Sequence, residues 1–136
     1  MTKKILSIIL LISTGLIACK KESTPQSKTT QEKFVGKWNL LSEVTNNYYS
    51  GSNHITTYPF TAGDYTEYRS DGKMIEYKNG SYDTFNYGFV SDSRIWILYI
   101  GNYFDIKTLT ETDLQIYHKD EYSPTEYYES TLNLKK

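Results

Sequence analysis

The groups in this 136-residue chain able to move protons, hold a metal or attack a carbon centre are 16 Asp and Glu, two histidines and a single cysteine. His54 and His118 stand far apart, with no His-x-Glu or His-x₃-His spacing to gather the three or four ligands that zinc needs. They read as surface histidines, and no metal site is expected. Asp64, Glu67, Asp71, Glu76, Asp83 and Asp105 fall mostly at strand ends and hairpins, where turns and solvation account for them. No Gly-x-Ser-x-Gly elbow, phosphate loop or Cys/His pair occurs. Neither catalytic residues nor a cofactor are expected. That leaves Cys19, whose chemistry depends on what precedes it.

Met1-Thr2-Lys3-Lys4 is followed by an apolar run from Ile5 to Ala18, the positive tip and short hydrophobic stretch of a secretion signal. A bilayer-spanning helix needs about 20 apolar residues, and Lys20-Lys21-Glu22 stops this run too early. Residues 1–18 therefore read as a signal peptide. Leu16-Ile17-Ala18-Cys19 resembles the lipobox of bacterial lipoproteins at all four positions. The resemblance implies cleavage before Cys19, a diacylglycerol on its thiol and a new amine open to acylation. An ordinary signal peptide with an incidental cysteine is the alternative. Buried acyl chains contribute about 0.8 kcal/mol per methylene, and two or more anchor stably, so the implied partner is a membrane held through lipid. Lys20, not Asp, follows the cysteine; by resemblance to enterobacterial lipoproteins this implies the outer membrane. The Lys20-Lys21-Glu22 patch resembles surface-export signals of Bacteroidota lipoproteins but lacks their acidic cluster, which leaves the leaflet open.

Cleavage leaves 118 residues, enough for one domain and one core. No cysteine remains for a disulfide, so packing and strand pairing must supply stability. Removing Lys3 and Lys4 lowers the basic count from 15 to 13 against 16 acids, a formal charge of −3. With no basic tract beyond Lys20-Lys21, no nucleic-acid partner is expected.

The elements that must position any site follow from local pattern. Residues 19–30, rich in Ser, Thr and Lys without large apolar side chains, read as a flexible tether ahead of a domain over 31–136. Thr29-Thr30-Gln31-Glu32 is a capping pattern that predicts one helical turn, with Phe34 and Val35 as its apolar side and Gly36 ending it. Beyond Gly36, short runs of Tyr, Ile, Thr, Phe and Trp between turn residues predict a nearly all-β domain, a sandwich or a barrel. The expected strands are 37–45, 54–60, 64–69, 73–78, 81–89, 94–100, 103–109, 113–119 and 125–134. Ser70-Asp71-Gly72 and Asn79-Gly80 suit tight hairpins and an antiparallel meander. Trp38, Leu40 and Val44 alternate against Lys37, Asn39 and Glu43, as Leu114 and Ile116 do against Asp113 and Gln115, giving each strand one core face. Ile95 to Ile100 is apolar on both faces and needs cover outside as well.

Gly36-Lys37-Trp38 after a helical turn resembles the Gly-x-Trp opening of lipocalins, whose tryptophan closes the narrow end of the barrel. Tyr68-Arg69-Ser70-Asp71-Gly72-Lys73 resembles the aromatic-x-x-Asp-Gly hairpin of small bacterial lipocalin-like domains, and Tyr103 to Ile116 resembles their Tyr-x-Ile, Leu-Thr, Asp-Leu-x-Ile pairing. The resemblance covers roughly residues 32–136 and includes lipoproteins of Bacteroidota. It implies an up-and-down antiparallel lipocalin-like barrel of about eight strands, with room for side chains or one small ligand. Tyr48 to Asn53 departs from a compact hairpin and is expected to be a flap at the open end.

Two functions follow. The barrel holds a small hydrophobic ligand, with Trp38, Leu40, Tyr68, Tyr77, Phe85, Tyr87, Ile97, Leu114, Ile116 and Leu132 as lining, unless these side chains simply fill the interior. Alternatively the chain is a non-catalytic adaptor docking on another envelope protein or a glycan. Its surface would be Tyr48, Tyr49, Tyr122, Tyr127 and Tyr128, expected in or beside loops, or the outside of the strand over 94–100. Cross-strand packing is the competing account of those tyrosines. A carboxylate pair meeting across the barrel mouth is the one arrangement for catalysis that spacing cannot reveal.

Overall fold

A computed structural model describes residues 27–98 and 102–136. The expected signal, Cys19, the tether up to residue 26 and the last two residues of the expected 94–100 strand lie outside the described residues.

The capping pattern forms as written. Glu32 takes the Thr29 amide on its carboxylate at 2.7 Å and returns its own amide to the Thr29 hydroxyl at 3.2 Å. This starts helix α1 (Thr30–Phe34), which delivers Phe34 to the core fully buried.

Among the described residues nine strands follow: β1 (Gly36–Tyr49), β2 (Ser52–Pro59), β3 (Tyr65–Tyr68), β4 (Lys73–Lys78), β5 (Ser81–Ser91), β6 (Arg94–Ile97), β7 (Asn102–Leu109), β8 (Asp113–Ser123) and β9 (Glu126–Lys135). Each strand from β3 to β8 pairs antiparallel with its successor, and β9 returns to β1 from Asn39 to Tyr48. The result is a closed, up-and-down antiparallel barrel of eight strands, the architecture that the lipocalin resemblance implies. Closure removes the edges of the barrel wall.

The ninth strand lies outside that circle. One edge of β1 is shared, Gly36 to Asn39 pairing with β3 and Ser42 to Tyr49 with β2. The far halves of β2, β1, β9 and β8 thus form a sheet that extends past the open end. The expected flap over Tyr48 to Asn53 is instead a two-residue hairpin. Ser50 and Gly51 both take positive φ (53° and 77°), the requirement of a type I′ turn.

Where β1 changes partner it carries a bulge. Leu40 opposes Leu134 and Ser42 opposes Asn133, leaving Leu41 unpaired and half exposed. One extra residue inverts the alternation after it. Trp38 and Leu40 face inward as expected, but beyond the bulge Glu43 and Thr45 turn in and Val44 turns out, correcting the simple alternation.

The narrow end is sealed by rings. Phe34 lies 4.3 Å from Tyr68 and 5.2 Å from Phe89, centroid to centroid. Trp38, fully buried, donates its indole N–H to the Phe34 carbonyl at 2.7 Å. Lys136 stands 4.3 Å from the Trp38 ring centroid and donates to the Lys33 carbonyl at 2.7 Å, an end of α1 left without helical partners. Burial of each such large side chain contributes on the order of 1.5–3 kcal/mol.

Candidate functional site

Inside the barrel, between this aromatic seal and the open end, lies a cavity of about 140 Å³. Its two sides differ. Ile97, Phe104 and Ile116 from β6, β7 and β8 form an apolar wall, with Leu132, Tyr68 and Met74 completing it. The opposite wall, from the adjacent strands β9, β1, β3 and β4, presents Ser130, Glu43, Thr66, Glu76 and Lys78.

The polar wall is only partly satisfied. Glu43 accepts hydrogen bonds from the Ser130 hydroxyl at 2.6 Å and the Tyr128 hydroxyl at 3.4 Å, yet forms no ion pair among the described residues. Glu76 pairs with Lys78 at 2.8 Å, and the same ammonium lies 5.0 Å from the Phe60 ring centroid. Thr66 is 1 % exposed, and its hydroxyl has no hydrogen-bond partner among the described residues. Burial, with Glu76 and Tyr87 adding charge repulsion, pushes the Tyr68 phenol far above the ordinary tyrosine range and keeps it neutral. Burial followed by the Glu43 charge likewise raises Tyr128.

No family model, curated protein or solved structure matches this chain.

Of the ten residues expected to line the barrel, Tyr68, Ile97, Ile116 and Leu132 meet at the cavity. Trp38, Leu40, Phe85, Tyr87 and Leu114 point inward as well but belong to the packed interior around it. The choice between a filled and a hollow barrel resolves as a mostly filled one with a small space left. Tyr77 is a correction: its register with Tyr65 places it on the outer face, where it stacks at 5.4 Å with Tyr65 and meets Tyr82 at 4.6 Å. β4 misleads because its more apolar set, Ile75 and Tyr77, faces out while Met74, Glu76 and Lys78 face in.

Local pattern does not show the polar wall: the bulge hides Glu43, Glu76 stands among acids that hairpins and strand ends explain, and Thr66, Lys78 and Ser130 carry no motif. A Glu and a Lys alternating with Met74 on one face was the available signal. Glu43 and Glu76 do line one cavity, from different strands.

The other titratable candidates hold structure. Asp64 is buried, and its carboxylate accepts the Thr61 and Asn79 amides at 3.1 and 3.0 Å, tying the β2–β3 loop to the β4–β5 turn. Asp71 caps its own hairpin through the Lys73 amide at 3.1 Å. Asp105 pairs with Arg94 at 2.7 Å, which holds its carboxyl below the usual range. His54 is exposed and stacks at 4.1 Å on Tyr49. His118 is not a surface residue: at 9 % exposure it lies between the Tyr103 carbonyl, Asn102 and Asp120 at 2.9, 3.1 and 2.9 Å. Among the described residues no three His, Cys, Asp or Glu side chains gather as a metal set.

The tyrosines expected in or beside loops stand at strand ends, beside the β1–β2 and β8–β9 turns. Tyr48 stacks on Tyr127 at 4.9 Å, and Tyr122, at the β8 bulge, is 71 % exposed. A wider groove of about 450 Å³ runs outside the barrel between α1 and β5. Its acid, Glu32, is already committed to the helix cap, and the Tyr87 hydroxyl beside it donates to the Arg69 carbonyl at 2.9 Å. The internal cavity is lined by a buried polar group, the Thr66 hydroxyl, that has no hydrogen-bond partner among the described residues.

Proposed function

We propose that this chain is a lipid-anchored, non-catalytic protein of the cell envelope, of lipocalin-like type, whose barrel holds one small ligand with an apolar body and a polar head. The observation that carries the reading is the two-sided cavity with the buried Thr66 hydroxyl, which has no hydrogen-bond partner among the described residues. Buried polar groups are normally paired, and a ligand head group supplies the missing partner. The volume sets the scale, because ligand pockets for drug-sized molecules are about 300–1,000 Å³. A cavity of about 140 Å³ suits a ligand near the size of a single ring, not a long acyl chain.

The anchoring half of the reading rests on Leu16-Ile17-Ala18-Cys19 and the apolar run before it. With Lys20 next, the destination is the outer membrane. The family half rests on the Gly36-Lys37-Trp38 and hairpin motifs, supported by the closure of the barrel.

The test is native mass spectrometry of the full chain, recovered in detergent and incubated with an envelope extract. A discrete added mass, lost on denaturation and absent in an Ile116→Trp variant that fills the cavity, supports the carrier reading. A bare mass in both proteins overturns it.

The outer face of β6 favours a second reading, an adaptor. Trp96 lies half-buried there among Val90, Leu98 and Tyr103, each more than half exposed. An apolar patch of this kind suits a protein partner. Leu98→Lys with Tyr103→Glu would abolish such docking and leave the cavity unaltered.

A further inference from the structure

The charge of the polar wall narrows the ligand class. Among the described residues three charged side chains face the cavity, and Lys78 is already matched by Glu76 at 2.8 Å. Glu43 is left as the carboxylate without a cation among the described residues, its partners being two neutral hydroxyls. Thr66 adds an oxygen able to accept, enclosed and unused. An ammonium group carries three donors and no acceptor, and so complements a carboxylate and a hydroxyl together. A ligand carboxylate would meet two acids and a lysine that is already paired. The apolar wall of Ile97, Phe104 and Ile116 would take the rest of the molecule, and a cavity of about 150 Å³ is known to admit benzene.

Resting on the reading of this cavity as a ligand site, we propose that the ligand is a small primary amine with a compact apolar body, its ammonium set between Glu43 and Thr66. Glu43 supplies charge selection, Thr66 a second hydrogen bond, and the β6–β8 wall the fit for a single ring.

The test compares three probes sharing one ring, 2-phenylethylamine, 2-phenylethanol and phenylacetate, by calorimetry on the full chain in detergent. The amine is expected to bind about tenfold or more tighter than the alcohol, as a charge-assisted hydrogen bond provides, with the acid weakest. Glu43→Gln should bring the amine to the level of the alcohol and leave the alcohol unchanged. Thr66→Val, which keeps the shape, should weaken the amine several-fold; circular dichroism establishes that both variants fold. Equal binding of all three probes, or an amine affinity indifferent to Glu43→Gln, overturns the amine proposal while the ligand reading stands. If no probe binds but an extract-derived mass still appears, the proposal also falls and the cavity keeps its function. If neither appears, both fall.

Discussion

Thr66 stands directly opposite Glu76 on the β3–β4 ladder, yet its buried hydroxyl forms no hydrogen bond among the described residues. Leaving such a group unpaired costs about 1–3 kcal/mol. Thr66→Val is therefore expected to raise the stability of the ligand-free protein by about 1 kcal/mol in urea unfolding. A loss of similar size would mean that the hydroxyl has a partner after all. Stabilisation with weakened binding is the pattern expected of a group kept for function.

The Trp38 indole joins the first strand to the helical plug through the Phe34 carbonyl. Trp38→Phe keeps most of the packing but strands that carbonyl, at about 1–3 kcal/mol. Trp38→Ala adds a cavity and should cost about 3–5 kcal/mol. Equal, small losses for both variants in urea would show that the narrow end is not sealed by this ring.

Alkaline pH should unfold the barrel. Burial holds the phenols of Tyr68, Tyr87 and Tyr117 above the ordinary range, with Glu129 a second cause at Tyr117. In the unfolded chain they ionise near pH 10, roughly the free tyrosine value. The folded state thus retains protons that the unfolded state releases, so their contribution is intact below about pH 10 and is lost as pH rises beyond it. Melting temperature against pH, read with near-ultraviolet phenolate absorbance, checks this. Full ionisation with the fold intact would contradict it.

Trp96 lies flat over Gly88 on the outer face, where an added methyl carbon would stand 2.6 Å from the indole nitrogen. Gly88→Ala should displace the ring, redden its fluorescence and cost about 1–3 kcal/mol, as overpacking does. Combining it with Trp96→Phe should recover part of that loss, and strict additivity in a double-mutant cycle would argue against the contact.

Cys19→Ser tests the anchor. The variant should lose labelling by a fatty-acid analogue and leave the membrane fraction for the soluble one. Unchanged labelling would place the acyl group on another residue and overturn the assignment to Cys19.

Much of the fold is legible in residue order. The Thr29–Glu32 cap, the Asn79-Gly80 turn and the strand Lys73–Lys78 appear where local pattern puts them. The inward faces of Leu114 and Ile116 follow from simple alternation. Part of the cavity was legible too, because Tyr68, Ile97, Ile116 and Leu132 are large apolar or aromatic residues in segments whose pattern reads as strand. Glu43, Thr66 and Ser130 were not, since a polar residue on a strand reads as solvent-facing until its neighbours are known. Departures of this kind gather where function is expected.

By itself the sequence determined what depends on near neighbours: the helix cap, the turns at residues 70–72 and 79–80, the approximate place of the strands and the all-β texture. These are set by backbone sterics and by hydrogen bonds within a few residues. Only the tertiary structure decided which strand β1 meets, and therefore where Leu41 bulges, why Glu43 turns inward, why β2 leaves the barrel and why Tyr77 lies outside. Register is fixed by pairing between strands far apart in the chain, such as Leu40 with Leu134. One residue of slip there exchanges inside for outside, and local pattern cannot register it.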